Sequence, residues 1–169
     1  TARAERYPAP AALPVVRRGS LAEDLARRDF SVNALAAALD PGDWGRLVDP
    51  LGGLADLRAG RLRILHARSY HDDPTRLYRL WRYAVRLGFT PEPRPDLRGD
   101  PALREALAAV SGERVMNEWH KSLEAADWWP QAQALSRHGL AAALAGRGLL
   151  SARGARWQAA AEAAWGAAG

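Results

Sequence analysis

No cysteine occurs among the 169 residues, so neither a disulfide nor a thiolate metal site contributes here, and redox arguments leave the compartment open. No apolar run approaches the roughly 20 residues that a membrane-spanning helix needs. No series of charged, apolar and small residues marks a signal peptide. A cytoplasmic protein without a membrane partner is therefore expected. Lysine is almost missing as well: of the 24 basic residues 23 are arginine, and Lys121 stands alone. That bias is common in proteins from GC-rich genomes, so arginine usage by itself is not a functional signal. No repeat period is evident. What is present is 48% hydrophobic and 25% charged, enough for one core or two small units.

The position of the charge says more than its amount. Between Arg58 and Arg98 ten arginines face only Asp72, Asp73, Glu92 and Asp96, a net +6, while the rest of the chain nets −1. An excess confined to one segment fits either a solvated basic face or a partner rich in phosphate.

Within that segment lies the stretch densest in chemistry, YHDDPTRLYRLWRYAVRLGF at Tyr70 to Phe89. Pro74 suits a first helical turn, and Asp72 and Asp73 suit the capping and dipole end, so a helix is expected to begin near Asp72. Leu77, Leu80, Trp81, Ala84, Val85 and Leu87 recur at helical spacing and should face a core. Arg79, Arg82 and Arg86 should form a stripe on the opposite side, and Gly88 should stop the helix. Asp73 and Arg76 stand one turn apart, which allows two readings. One is a surface ion pair worth a few tenths of a kcal/mol. The other is a base-reading pair: a carboxylate accepts from an exocyclic amino group while a guanidinium donates to the adjacent ring nitrogen. Cytosine and adenine both offer that edge; uracil and guanine offer a carbonyl beside an N–H. Arg76 flanks the apolar face, so its removal is expected to leave the fold intact.

Upstream, Thr1 to Tyr7 alternates like a strand and leads into a connection carrying Pro8, Pro10 and Pro14. Ser20 and Glu23 form a capping box for a helix over Leu21 to Arg27. Val32 to Leu39 suits helix or strand, and Pro41, Gly42 and Gly45 before Arg46 to Val48 favour a hairpin. Asp49, Pro50, Gly52 and Gly53 predict a loop, and Leu62 to Leu65 another strand. EDLARRDFSVNALA at Glu23 to Ala36 is a compact polar set in apolar sequence. Its Arg27 or Arg28 could neutralise a triphosphate, Asp29 could accept from a ribose hydroxyl, and Asn33 could hold a phosphate or sugar oxygen; a structural network tying helix to sheet is the alternative.

Downstream, the proline-rich Thr90 to Pro101 reads as a flexible joint. Helices are expected over Pro101 to Val110 and from Ser111 and Gly112 onward, the second carrying Arg114, Val115, Trp119 and Leu123. Beyond Asp127 the pattern is Ala-rich helix broken at glycines, with Trp128, Trp129, Trp157 and Trp165 as core or interface fillers.

RRDFSVNALA, LVDPLGGLADL at Leu47 to Leu57, DDPTRLYRLWRYAVRLGF at Asp72 to Phe89 and SGERVMNEWHKSL at Ser111 to Leu123 follow one another in an order and spacing that resembles the class II (bacterial-type) tRNA nucleotidyltransferase and poly(A) polymerase family. The resemblance covers about residues 1–123. It implies a mostly α fold with a small α/β remnant: the end of a nucleotidyltransferase head over 1–60, a helical neck that recognises the base over 61–125, and the start of a helical RNA-binding body over 126–169. It further implies that Arg27, Arg28, Asp29, Asn33, Asp73, Arg76 and Arg79 bind the nucleotide. Asp72, Ser111, Glu113 and Arg114 would support the base-reading helix, and Arg82 and Arg86 would meet RNA. Asp49 to Leu57 would be a hinge. Expected partners are tRNA or another RNA 3′ end, with CTP and ATP as substrates and Mg²⁺ as the ion. Asp72 stands where the family's first motif acid is glutamate.

One family element is missing. The Asp-x-Asp strand that holds two metals about 4 Å apart is expected upstream of Thr1, and neither Asp72 and Asp73 nor any later pair replaces it. No catalytic residue and no metal ligand are therefore assigned in this chain, although Glu5, alternating with Arg3, is an additional head carboxylate to consider. CCA, CC-only, A-only and poly(A) addition all fit the motifs, as does a noncatalytic helical RNA-binding module.

Overall fold

The computed structural model describes residues 2–141, so the expectations for Trp157 and Trp165 lie outside the described residues. The alternating N-terminal stretch forms β1 (Arg3–Arg6), which pairs antiparallel with β2 (Val15–Arg18). Ser20 then caps α1 (Leu21–Ala26): its side chain accepts from the Glu23 N–H while the Glu23 carboxylate accepts from the Ser20 N–H, the full capping box. The ambiguous Val32 to Leu39 stretch divides into a 3-10 turn at Ser31–Asn33 and β3 (Ala36–Ala37), which makes the expected hairpin with β4 (Leu47–Val48).

The Asp49 loop is shorter than expected, because α2 (Gly53–Arg58) starts inside it. Asp49 accepts from the Gly53 and Leu54 N–H groups and so caps the helix from four residues upstream. Glycine is required at 53, where a Cβ would come 2.2 Å from the Ser31 carbonyl oxygen. The strand expected near Leu62 is β5 (Arg61–Arg63). Its partner is β6 (Thr90–Glu92), which pairs parallel to it. The proline-rich segment read as a joint thus opens with a strand, and the Asp96 carboxylate then binds the N–H groups of Arg98 and Gly99. Three prolines hid a strand that needs hydrogen bonds along only one edge.

The central helix differs from expectation at its start. A short α3 (Ser69–Asp72) ends at Asp73, and α4 runs Arg76–Leu87. Asp73 precedes a proline, and the clash with the proline ring drives it out of the helical region, to φ −135° and ψ 89°. Its carboxylate then accepts from the Thr75 N–H and hydroxyl, closing a side-chain turn that launches α4. Gly88, at φ 67°, ends α4 as expected. Leu77, Leu80 and Trp81 are buried, joined by Tyr78, whereas Leu87 is exposed.

The arginine stripe does not lie opposite the core. Arg76 and Arg82 are only 2% and 8% exposed, and Arg79 is half-buried; only Arg86 of the set is exposed. Each buried arginine is matched by carboxylates or carbonyls brought from other elements, which sequence spacing along one helix does not reveal.

α5 (Pro101–Ala109) and α6 (Gly112–Leu123) form as expected, capped by Asp100 and Ser111. α7 (Trp128–Arg137) packs against α4, where His138 stacks on Trp81 with ring centroids 3.4 Å apart. Trp128 and Trp129 meet edge to face but are exposed rather than core residues. One apolar cluster runs from Phe30 and Leu62 through Leu77, Tyr78 and Leu80 to Val115, Trp119 and Leu140. No helix among the described residues is long and apolar enough to cross a membrane.

Candidate functional site

The site forms where the turn between α3 and α4 meets the loop after α1 and the inner face of α6. Asp73 sits at its centre. One carboxylate oxygen, Oδ1, accepts from the Thr75 N–H and hydroxyl and from Arg114 Nη2 at 2.8 Å. The other, Oδ2, accepts from Arg79 Nη2 at 3.0 Å and lies 4.0 Å from Arg76 Nε. Burial pushes the Asp73 carboxyl up, but the Arg79 charge, the Thr75 hydroxyl and Arg114 outweigh it and hold it below the usual carboxylate range. It is therefore an anion at neutral pH, and Oδ2 keeps one lone pair unspent.

Arg76 is the complementary group. Nη1 donates to Ser69 Oγ at 2.6 Å and Nη2 to the Arg27 carbonyl at 3.0 Å, while the buried Nε–H has no partner. Tyr7 covers this side, its ring 5.9 Å from the guanidinium carbon. An acceptor valence on Asp73 and a donor valence on Arg76 thus remain unspent beside each other.

Arg79 is committed elsewhere than expected. Nε donates to Asp29 at 2.5 Å, Nη1 to Thr75 Oγ1 and to Glu118, and Nη2 to Asp73. Arg82 donates to Glu118 at 2.8 Å, which places it inside the protein rather than on an RNA-facing surface. Arg86 is exposed.

The RRD stretch is drawn together largely by Asp24, a residue that the sequence did not single out. Its carboxylate binds Arg27, Arg28 and the Arg3 N–H, and Arg28, Arg27 and that N–H hold it far below the usual range. Arg27 also reaches Glu5 at 2.7 Å, so Glu5 is tied into an ion pair. Arg28 keeps 43% of its side-chain exposure, and Asn33 is half-buried in the 3-10 turn. Among the supporting residues, Arg114 reaches Asp73 and also the Ala11 carbonyl at 2.8 Å, and Ser111 caps α6. Glu113 is exposed in its first turn, and Asp72 lies 3.6 Å from Arg68.

Glu118, Thr75 and Ser69 also escaped sequence reading. Only Glu118 carried a signal: a carboxylate at the spacing of Val115, Trp119 and Ser122 lies on the buried stripe of α6 and needs cationic partners. No group of three or more histidine, aspartate or glutamate side chains suited to a metal ion occurs among the described residues. Asp73 and Asp24 are each held by arginines and stand on separate elements, so these residues do not fit a two-metal centre.

A small α/β unit followed by a helical region is the architecture of a nucleotidyltransferase head with helices after it. Residues 1–63 match the poly A polymerase head domain. An A-adding tRNA nucleotidyltransferase of Halalkalibacterium halodurans is 49% identical over 121 residues, 70% of this chain and 28% of that protein. A CC-adding tRNA nucleotidyltransferase of Deinococcus radiodurans is 48% identical over 92 residues, 54% of this chain and 25% of that protein. Among solved structures, the apo form II of a CCA-adding enzyme matches with a TM-score of 0.73 at 33% identity, covering 85% of this chain and 34% of that one. A tRNA nucleotidyltransferase complexed with a primer tRNA and an incoming ATP analog matches with a TM-score of 0.62 at 32% identity, covering 73% of this chain and 36% of that one. The chain belongs to the tRNA nucleotidyltransferase and poly(A) polymerase family, and it spans about a quarter to a third of the length of these relatives.

Proposed function

We propose that this chain is the nucleotide-selecting part of an enzyme that adds C and A to the 3′ end of tRNA in the cytoplasm, with CTP and ATP as substrates and Mg²⁺ held by carboxylates outside the sequence given. The observation that carries the reading is the pair of unspent valences on Asp73 Oδ2 and Arg76 Nε, 4.0 Å apart. An exocyclic amino group donating to Asp73 and a ring nitrogen accepting from Arg76 would satisfy both, which cytosine and adenine permit and uracil and guanine do not. A site built around one hydrogen-bonding edge rejects the wrong edge because its buried groups are left unpaired.

In this reading Asp29 receives the ribose, while Arg28, the more exposed of the RRD arginines, meets phosphate, aided by Arg27 and Asn33. Residues 1–60 are the end of the head, 61–125 the neck and 126–169 the start of the body, with exposed arginines such as Arg86 toward RNA. Addition of C alone, of A alone, or of poly(A) would use the same pair, and the noncatalytic RNA-binding module remains the reading from another class.

The test is incorporation by the full-length protein on a tRNA lacking its 3′ CCA, with all four nucleoside triphosphates and Mg²⁺, read by sequencing the product. C and A should be added and U and G excluded. No incorporation, or incorporation of all four alike, would overturn the reading.

A further inference from the structure

We infer that Arg79 is a positioning residue for base selection: its guanidinium holds Asp29, Asp73 and Glu118 together and so fixes the base-reading carboxylate relative to the sugar-reading one. The inference rests on the proposed function of Asp73 and Asp29, and adds a role that this function does not itself require.

Three elements converge on this one side chain. Asp29 follows α1 and binds Nε at 2.5 Å; Asp73 closes α3 and binds Nη2 at 3.0 Å; Glu118 stands on α6 and lies 3.3 Å from Nη1. Thr75 Oγ1 accepts from Nη1 at 2.9 Å and itself donates to Asp73, so the base-reading carboxylate is gripped directly and through a relay. A guanidinium is planar, with its N–H groups in a fixed fork. Binding Asp29 through one edge and Asp73 through another therefore sets the separation and orientation of the two acids. Behind it, Glu118 is anchored by Arg82 at 2.8 Å and Lys121 at 3.0 Å, which keeps Arg79 from swinging.

The same geometry explains why Arg79 is not itself a phosphate ligand. Four of its five N–H valences are spent on protein acceptors, and three carboxylates already surround its charge. Burial lowers its pKa, but Asp29, Asp73 and Glu118 more than offset that and raise it above the ordinary arginine value. Lysine in its place would supply the charge without the fork, so it could not hold all three acids in one plane.

The experiment is a four-nucleotide competition with the full-length protein, comparing wild type, Arg79→Lys and Asp73→Asn, alongside the thermal unfolding midpoint of each. Arg79→Lys should raise the fraction of U and G incorporated on the order of tenfold. A purely structural role would slow all four nucleotides equally and leave the fractions at wild-type values; that outcome overturns the inference. If Asp73→Asn changes the fractions and Arg79→Lys does not, the inference fails alone. If neither does, the base-reading assignment fails with it. Should Arg79→Lys not fold, Glu118→Gln decides: it weakens the anchor behind Arg79 without touching Asp73 and should shift the fractions in the same direction, and unchanged fractions would overturn the inference.

Discussion

Arg114 on α6 donates to Asp73 Oδ1 at 2.8 Å, a contact between residues 41 positions apart that ties the last motif of the chain to the acid beside Arg76. The same guanidinium donates to the Ala11 carbonyl, so one side chain braces the site against the connection after β1. Arg114→Ala would leave a buried carboxylate with one cation fewer and a carbonyl with one donor fewer. A loss of about 2 kcal/mol of stability is expected, since hydrogen bonds to charged groups contribute roughly 1.5–3 kcal/mol. Chemical denaturation checks this, and a variant within a few tenths of a kcal/mol of wild type would show that the contact is not maintained in solution.

Arg76→Ala should also destabilise, by about 2–4 kcal/mol, because a buried arginine is removed and Ser69 Oγ and the Arg27 carbonyl each lose a donor. Read from the sequence, Arg76 merely flanked the apolar face of its helix and was dispensable to the fold. A denaturation midpoint equal to wild type would return Arg76 to that surface role.

Stability should fall on the acid side. Asp24, Asp56, Asp73 and Glu118 all have folded pKa values lowered from ordinary values of 3.8 and 4.5. Carboxylates of this kind contribute in full above their unfolded pKa, and the contribution is lost as pH falls through it toward the folded value. His66 and His138, lowered from 6.5 by burial and then by neighbouring arginines, act in the same direction from a higher pH, because the unfolded chain takes up their protons first. The thermal midpoint at constant ionic strength should therefore decline gently below about pH 6.5 and steeply below about 4.5. A midpoint that rises between pH 5 and 3 would contradict the buried ion-pair network.

tRNA binding by the 169-residue chain should be weak and salt-dependent, yet less so than ten arginines suggest. Of those ten, Arg58, Arg68, Arg86, Arg94 and Arg98 are exposed, while Arg76 and Arg82 are buried against protein acceptors. With about 0.7–0.9 counterions released per neutralised phosphate, the contribution of this segment to the slope of log K against log salt should be no steeper than about −5. A flat dependence, or no binding at low salt, would remove RNA from the partners of this segment.

The sequence was most informative where a signal is local. The capping box at Ser20 and Glu23, the stop at Gly88 and the start of α6 at Ser111 each involve residues within a few positions of one another, and all appear as expected. The Asp73 and Arg76 juxtaposition was legible from helical spacing, although a turn before Thr75 brings it about rather than a continuous helix. The neutralisation of Arg79 and Arg82 was not legible. Their partners Asp29 and Glu118 lie 50 and 36 residues away, and no pattern along α4 distinguishes an arginine facing water from one facing a carboxylate of another helix. β6 was missed for a related reason: its pairing with β5 is parallel and long-range, and Pro91 within it and Pro93 just after it argue locally against a strand.

The central claim is that Asp73 and Arg76 choose the base, and Asp73→Asn in the full-length protein tests it most directly. A carboxylate only accepts hydrogen bonds, whereas a carboxamide also donates and can therefore meet the carbonyl of uracil or guanine. In a competition among all four nucleoside triphosphates on a tRNA lacking its 3′ end, the account predicts that the fraction of U and G incorporated rises on the order of tenfold or more. Incorporation of C and A alone, in wild-type proportions at whatever rate, would contradict it.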